Sequence, residues 1–301
     1  MENKMITMKT NNGGEIKMEV FKRVITHSTV FHADDVFGVA MWKLINPDIE
    51  VVRTLEPEKF WDENTIVFDI GMGKYDHHQE DKALREDGTP YCGFGLLWRD
   101  YGYNLCPDLN AWKKVDRALV LPIDKADNGV EQNTLSISIK AMNPNWNSEK
   151  TADEAFFEAV DVAKAILKAH VEHANATVEA VDAVLENYLA SPGEEILVLD
   201  EYLPWTEAVI SEEKLRNVLF TVYPSQRGGW NVQTVPKATG TFTNRMDFPK
   251  DWLGHADPER GIHFAHTANF LIACDTKEQA IKVAEEAIEA GKTEYTVVAS
   301  V

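Results

Sequence analysis

Short apolar runs alternate with a helical pattern near the start of the chain, and this alternation is the feature that most constrains the fold. Residues 20–26, 49–53 and 65–70 each form a strand-like run of apolar and β-branched residues. Between the first two runs, apolar residues recur at helical spacing over residues 36–44. Strands that alternate with helices form parallel sheets. We therefore predict an α/β fold with an N-terminal parallel-sheet domain and flanking helices.

Histidines and aspartates follow the predicted strands at the points where the strands end. Four of the nine histidines lie between residues 27 and 78. These four and their neighbouring aspartates are His27, His32, Asp34, Asp35, Asp69, Asp76, His77 and His78. Loops that leave the carboxyl ends of neighbouring parallel strands converge on one crevice. The sequence therefore predicts a metal site at this edge of the sheet.

The mixture of imidazole and carboxylate ligands indicates which metals are expected. Such a set suits Mn²⁺, Fe²⁺, Co²⁺ or Zn²⁺, whereas Mg²⁺ prefers oxygen ligands. Six residues are candidate ligands, with the last supplied by a later aspartate: His27, His32, Asp34, Asp69, His77 and Asp127. Six ligands are enough for two ions if one carboxylate bridges them, and paired ions are suited to phosphoryl displacement.

The chain after residue 92 has a different pattern. Helices are predicted at residues 93–101, 109–121, 152–190 and 276–290, and strands at 196–199, 218–223 and 230–235 with a hairpin turn at 226–229. A Ser-Pro-Gly break at residues 191–193 separates the long helix from these strands. We predict a flexible leader at residues 1–17, a first domain at 18–192 and a smaller mixed α/β domain at 193–301.

The charge balance limits the expected partners. The chain has 30 basic and 49 acidic residues, a net charge of −19, and proteins that track along long duplex normally present a basic face. Long duplex is therefore not expected as a ligand. The longest uncharged stretch, residues 261–274, is shorter than the ~18 apolar residues of a membrane span. Three cysteines without a CxxC pair and an N-terminus without an apolar core favour a cytoplasmic setting.

At these positions the sequence resembles the DHH phosphoesterase superfamily, whose name is the triplet Asp76-His77-His78. It is most similar to the melanocyte-proliferating-gene family of DHH-like 3′–5′ exonucleases. The resemblance rests on residues 26–35, 67–71, 75–79 and 123–129, and more loosely on 230–236, 244–245 and 264–266. It implies a phosphodiester hydrolase that removes nucleotides from RNA or short single-stranded oligonucleotides. An alternative substrate is a small phosphate compound such as a pyrophosphate or a cyclic dinucleotide, and a non-catalytic metal-binding regulator is a third hypothesis.

The resemblance also implies roles for individual residues. One ion, with Mn²⁺ expected first, would be held by His27, His32 and Asp69, and a second by Asp34, Asp69, His77 and Asp127. Asp69 would bridge the ions and take part in catalysis. His78 would face the substrate phosphate. In the second domain, Arg245 and His266 would bind the phosphate or the terminal nucleotide.

Each of these roles has a structural alternative. Asp124 lies one helical turn before Asp127 and competes with it as the later ligand, and either residue could simply cap a helix or a turn. His78 could instead orient a neighbouring ligand. His266 could be a buried core residue, and Arg245 a solvated surface charge.

Asp35 has a helical role in the sequence pattern. Asp34 or Asp35 is expected to cap the first helix. Asp35 is interpreted as a charge that stabilises the helix N-terminus and not as a metal ligand.

Overall fold

The computed structural model describes residues 5–9, 15–19, 21–241 and 243–298 of the protein. The chain divides into two compact units, Met1–Asn175 and Ala176–Val301. The domain limits inferred from the sequence, with a boundary after residue 192, stay a prediction.

The described residues of the first unit form five strands and six α-helices, the last of which continues past Asn175. The strands are β1 (Met5–Lys9), β2 (Glu15–Glu19), β3 (Arg23–Thr26), β4 (Glu50–Arg53) and β5 (Thr65–Val67). The helices are α1 (Ala33–Ile45), α2 (Gly93–Tyr101), α3 (Leu109–Val115), α4 (Leu121–Asp127), α5 (Thr134–Lys140) and α6 (Ala152–Leu189). A π-helical segment, Asp116–Val120, joins α3 to α4. The helix predicted at residues 109–121 is therefore confirmed and runs on to Asp127.

Strand β3 lies at the centre of a three-stranded parallel sheet with the order β4-β3-β5. Ile25 of β3 pairs with Val52 of β4 and with Val67 of β5, so the three carboxyl ends lie side by side. Val24 and Ile25 are fully buried. The predicted fold class, α/β with a parallel sheet near the N-terminus, is confirmed.

The N-terminal segment differs from the leader without regular structure that we expected. β1 and β2 form an antiparallel pair in which Ile6 lies opposite Met18 and Met8 lies opposite Ile16. Apolar residues at alternate positions are typical of strands, and the polar composition of the segment as a whole hides this alternation. The predicted flexibility of residues 1–4 and 10–14 stays a prediction, because these positions lie outside the described residues.

Helix α1 packs its apolar side on the parallel sheet, as its periodicity predicts. Val36, Phe37, Ala40 and Met41 are fully buried. The predicted cap is wrong, because the N-cap residue is His32, and Asp34 and Asp35 lie in the first helical turn. The helix begins earlier than the apolar pattern suggests because its first turn faces the sheet edge with polar side chains.

The described residues of the second unit form a five-stranded mixed sheet and two further α-helices. Its strands are β6 (Ile196–Val198), β7 (Phe220–Pro224), β8 (Trp230–Thr234), β9 (Ile262–Ala265) and β10 (Leu271–Cys274), and its helices are α7 (Trp205–Ser211) and α8 (Lys277–Val298). The order is β6-β7-β8-β10-β9, with β6 parallel to β7 and the other pairs antiparallel. Phe220, Val222 and Val232 form a core with Val283 and Ala287 of α8. A smaller mixed α/β unit in this half of the chain is therefore confirmed.

The hairpin predicted at residues 226–229 connects β7 to β8. Ser225 donates its backbone N–H to the carbonyl of Gly229 at 2.9 Å. Gly228 and Gly229 have φ values of +93° and +70°, which favour glycine at both positions.

The hydropathy of the helices and the state of the cysteines can be compared with the sequence predictions. No helix in the described part of the chain is long and apolar enough to cross a membrane. Cys92, Cys106 and Cys274 are all buried and free.

The contact between Gly38 and Phe68 yields a stability prediction. A Cβ atom at Gly38 would lie 2.4 Å from the ring of Phe68, which is fully buried directly before Asp69. Gly38→Ala should therefore destabilise the protein by about 1–3 kcal/mol through overpacking, although alanine normally stabilises a helix interior relative to glycine. Thermal unfolding measures the change. Gly193→Ala is the control, since a Cβ there would meet no atom of the described residues within 4 Å. Equal or higher stability of Gly38→Ala would contradict the close packing of α1 on Phe68.

Candidate metal centre

The register of the parallel sheet brings His27 and Asp69 together. Ile25 and Val67 are paired, and His27 and Asp69 each follow two residues later. His27 Nε2 consequently lies 3.3 Å from Asp69 Oδ2. Asp69 has a φ of +56°, a left-handed conformation that is costly for a residue with a Cβ. Its backbone N–H donates to the carbonyl of Tyr75 at 3.0 Å, which holds this conformation.

Two side chains hold the loop between His27 and His32. Arg53 Nη2 donates to the carbonyl of Thr29 at 2.9 Å, where the chain has a φ of +76°. Asn143 accepts the N–H of Phe31 at 2.9 Å and donates to the carbonyl of Phe31 at 2.8 Å. These contacts come from the end of β4 and from the loop after α5, so the position of the loop depends on distant parts of the chain.

His77 joins the same group from the loop that follows β5. Its Nε2 lies 3.0 Å from Asp69 Oδ1, 3.2 Å from Asp127 Oδ2 and 3.6 Å from Asp34 Oδ2. The two oxygens of Asp69 thus face different histidines, Oδ2 facing His27 and Oδ1 facing His77. This is the arrangement that a bridging carboxylate requires.

Asp35 is a candidate ligand that the sequence analysis missed. Its Oδ1 accepts the backbone N–H groups of His32 and Val36, both at 2.9 Å, so its predicted role at the helix N-terminus is confirmed. Its Oδ2 lies 3.2 Å from His27 Nε2. In the sequence, the adjacent pair Asp34-Asp35 was the signal that could have pointed to this additional ligand. Which of the two would face the sheet edge depends on the angle at which α1 enters, and the structure turns both toward it.

His32 lies in a different subgroup from the one implied by the family resemblance. Its ligand atom groups with those of Asp34 and Asp127, all within 4.8 Å of one another. Its ring lies 6.2 Å from that of His27. The structure thus brings His32 into the cluster, and the ligand set of each ion stays a prediction.

Asp124 and Asp127 have separate surroundings. Asp124 is fully buried, accepts Arg85 Nε at 2.5 Å and accepts the backbone N–H of Cys92 at 2.9 Å. Burial raises the pKa of Asp124 to about 6 even though Arg85 and Cys92 oppose the rise. Asp124 therefore connects α4 to the start of α2, whereas Asp127 faces His77.

Several buried polar atoms at the centre have no hydrogen-bond partner among the described residues. They are both carboxylate oxygens of Asp34, Oδ2 of Asp35, Oδ1 of Asp69 and Nδ1 of His77. Buried carboxylates without partners are costly. Two ligands of one ion, each about 2.1 Å from it, lie roughly 3.0–3.5 Å apart, which is close to the separations found here. The residues present therefore fit one or more divalent cations.

The charges of the centre perturb one another in the way expected of such a cluster. Burial and the neighbouring carboxylates raise the pKa of Asp34 well above its usual range. Burial also raises the pKa of Asp35, to about 7, although the charge of His27 opposes the rise. Burial lowers the pKa of His27, but its contact with Asp69 and the charges of Asp35 and Asp69 outweigh this and raise it to about 9. Asp69 has a lowered pKa because its contacts with His27 and His77 outweigh burial.

Asp76 organises the loop that carries the two adjacent histidines. Its Oδ2 accepts the N–H of Met72 at 2.7 Å, and its Oδ1 lies 2.8 Å from Nδ1 of His78. The side chain of His78 is 59% exposed. Because Nδ1 is engaged with Asp76, Nε2 of His78 remains available to a ligand. The role of Asp76 was not anticipated from the sequence.

These residues border a cleft of about 990 Å³ in the first unit. His27, His32, Asp69, His77 and Asp127 line the cleft, and Asp34 is buried. The lining also includes His78, Lys82, Ser136 and Lys140. The cleft therefore combines a cluster of candidate metal ligands with neutral and basic side chains.

The two candidate residues of the second unit have different local contacts. Arg245 Nη1 donates to the carbonyls of Leu215, Arg216 and Val218 at 2.9–3.0 Å, and Nη2 donates to that of Val209 at 2.9 Å. These bonds give Arg245 a structural role. His266 Nδ1 accepts the N–H of Ala268 at 3.0 Å, and its ring lies 4.3 Å from that of Phe270. A role of either residue in substrate binding stays a prediction.

Comparison with known proteins identifies relatives across most of the chain. The MYG1 exonuclease of Homo sapiens is 27% identical, over 87% of this chain and 84% of its own length. The MYG1 protein YER156C of Saccharomyces cerevisiae is 26% identical, over 90% of this chain and 97% of its own. The MYG1 protein of Dictyostelium discoideum is 23% identical, over 87% and 94%. No solved structure matches the chain.

The match extends over both units. Residues 23–288 fit the family model MYG1_exonuc, described as an uncharacterised protein family (UPF0160). This range contains the six predicted metal ligands as well as Arg245 and His266. The chain therefore belongs to the MYG1_exonuc family.

Proposed function

We propose that the protein is a metal-dependent phosphodiester hydrolase of the DHH type that acts as a 3′–5′ exonuclease on RNA or short single-stranded oligonucleotides. The observation that carries the proposal is the position of Asp69, whose two carboxylate oxygens face His27 and His77 within one cluster of buried carboxylates. Relatives named MYG1 exonuclease support nuclease activity. The cytoplasm remains the proposed compartment.

Following the family resemblance, the candidate ligands would divide into two sets that share Asp69. His27, His32 and Asp69, with Asp35 as an additional oxygen, would hold one ion. Asp34, Asp69, His77 and Asp127 would hold the second. Bound divalent ions, Mn²⁺ first and Co²⁺, Zn²⁺, Fe²⁺ or Mg²⁺ as alternatives, would lower the pKa of a water molecule and offset the negative charge of the phosphate oxygens.

His78 would bind a non-bridging oxygen of the substrate phosphate. Asp76 fixes the orientation of the imidazole through Nδ1, and more than half of the side chain is exposed at the cleft. A donor that is already oriented stabilises developing charge without the cost of reorganisation. His78 thus acts on substrate, while Asp76 is a positioning residue.

The net charge of −19 is the reason for preferring short strands. A long polyanion would be repelled over most of the surface, so productive contacts should be confined to a few nucleotides at a chain end. Arg245 and His266 are the proposed contacts to the terminal nucleotide in the second unit. End-labelled strands of two to about twenty nucleotides, with a circular strand as control, test this point. Cleavage of the circle, or efficiency that climbs steadily with length, would contradict it.

Activity should depend on Asp69. Asp69→Asn keeps the shape of the side chain but removes the charge that offsets two cations, so the variant should be nearly inert. Cleavage of a model phosphodiester in Mn²⁺ is the measurement, and Asp48→Asn, at an exposed aspartate after α1, is the control. Retention by Asp69→Asn of more than about a tenth of wild-type turnover, roughly 1.4 kcal/mol of barrier, would show that Asp69 does not bridge.

The metal requirement should follow the ligand chemistry. With three imidazoles among the proposed ligands, Mn²⁺ or Co²⁺ should support faster turnover than Mg²⁺. Chelation should abolish turnover, and the added metal should restore it. Full activity with Mg²⁺ alone, or after exhaustive chelation, would overturn the proposal.

Metal binding should release protons at neutral pH. The metal-free protein has a His27 pKa raised to about 9, so His27 is protonated at pH 7 and must lose its proton to coordinate a cation. The affinity for Mn²⁺ should therefore rise as the pH increases toward 9. Calorimetric titrations at pH 7 in two buffers of different ionisation enthalpy would detect the released proton, and identical binding heats in both buffers would argue against this assignment.

A further inference from the structure

The lining of the cleft contains two basic side chains among the described residues, Lys82 and Lys140. Neither forms an ion pair with a carboxylate in the described part of the chain, although the protein has 49 acidic residues. Both face a cleft whose other charged residues are the metal-ligand candidates and their neighbours. A phosphate group is the ligand chemistry that an unpaired ammonium at such a position would attract.

Lys82 is already engaged by a neighbouring amide. Its Nζ donates to Asn128 Oδ1 at 3.1 Å. Asn128 is fixed in turn by hydrogen bonds from Nδ2 to the carbonyls of Pro90, at 3.1 Å, and Asp124, at 3.0 Å. Lys82 and His77 line the same cleft. The charge of Lys82 opposes the rise of the His77 pKa.

Lys140 has no such partner. Its Nζ forms no hydrogen bond or ion pair with the described residues, and its side chain is exposed in the last turn of α5. Lys140 and His32 line the same cleft, so the ammonium is carried on the same cavity as the candidate metal ligands.

Ser136 lies one helical turn before Lys140, on the same face of α5, and also lines the cleft. Its Oγ is buried and has no hydrogen-bond partner among the described residues. A buried hydroxyl without a partner is unfavourable, and a phosphate oxygen that reached this face of α5 would satisfy it. Ser136 and Lys140 thus offer an adjacent hydroxyl and ammonium.

We propose that Ser136 and Lys140 form a second phosphate-binding subsite, which takes the phosphate on the retained, 5′ side of the scissile bond. The inference rests on the proposed function, because the metal centre then holds the scissile phosphate and the next phosphate of the strand must lie elsewhere in the same cleft. A substrate with this additional phosphate gains a charge-assisted contact. The subsite therefore favours an oligonucleotide end over a compound with a single phosphodiester.

Two dinucleotides that differ by one phosphate provide the test. UpU carries only the scissile phosphate, whereas pUpU carries the same bases and a 5′-phosphate. With Mn²⁺ present, the wild-type protein should cleave pUpU with a kcat/KM roughly tenfold above that for UpU, the usual worth of a charge-assisted hydrogen bond. In Lys140→Met this ratio should fall to within about twofold of one.

Lys113→Met is the matched control. Lys113 is also an exposed lysine near the end of a seven-residue helix, α3, but it does not line the cleft. The variant should keep the wild-type ratio. Lys82→Met is the comparator within the cleft, and loss of the ratio in Lys82→Met but not in Lys140→Met would overturn the assignment.

The result separates this proposal from the proposed function. Equal cleavage of UpU and pUpU by the wild-type protein would leave the hydrolase intact and exclude the subsite. If neither is cleaved, the proposed function fails, and the subsite is then judged by calorimetric binding of the same two dinucleotides in Mn²⁺. Tighter binding of pUpU by the wild-type protein, lost in Lys140→Met, would support the subsite, and equal binding would exclude it.

Discussion

The carboxylate of Asp69 is buried at the carboxyl end of a parallel sheet between two histidines, and the rest of the first unit is arranged around this contact. Its two oxygens face His27 and His77 at 3.3 and 3.0 Å. Asp69 itself has a left-handed backbone conformation, which is locally strained. The hydrogen bond from the backbone N–H of Asp69 to the carbonyl of Tyr75 and the packing of Phe68 against α1 offset that strain.

The fold brings candidate ligands that are far apart in the sequence to one edge of the parallel sheet. The parallel register places His27 and Asp69 at the same level, and the first turn of α1 brings Asp34 and Asp35 to the same edge. Asp127 arrives at the end of α4, about 50 residues after His77. Asp124 accepts the N–H of Cys92 and pairs with Arg85, which anchors that helix to the start of α2 and so helps to position the candidate ligand Asp127.

The acidic character of the chain and the chemistry proposed for it are compatible because the charges are unevenly distributed. Carboxylates that repel one another at the centre are suited to binding divalent cations, and such cations would invert the local charge where a phosphate would dock. The two lysines of the cleft then provide positive charge beside that point. Under the proposed function, favourable contacts would be confined to a short segment of a polyanion, because the net charge disfavours contacts elsewhere.

The sequence by itself determined the main strands and helices, the parallel sheet and six of the clustered candidate ligands, because apolar periodicity and strand-end polar residues are local signals. It did not determine that Asp35 faces His27, that His32 groups with Asp34 and Asp127, or that Asp124 pairs with Arg85. It also missed the pairing of β1 with β2 and placed the cap of α1 two or three residues too late. These features depend on the entry angle of a helix, the register of strands and contacts between distant residues such as Phe31 and Asn143. Only the tertiary structure decided them, because the direction of a side chain at a sheet edge is set by packing against residues far away in the sequence.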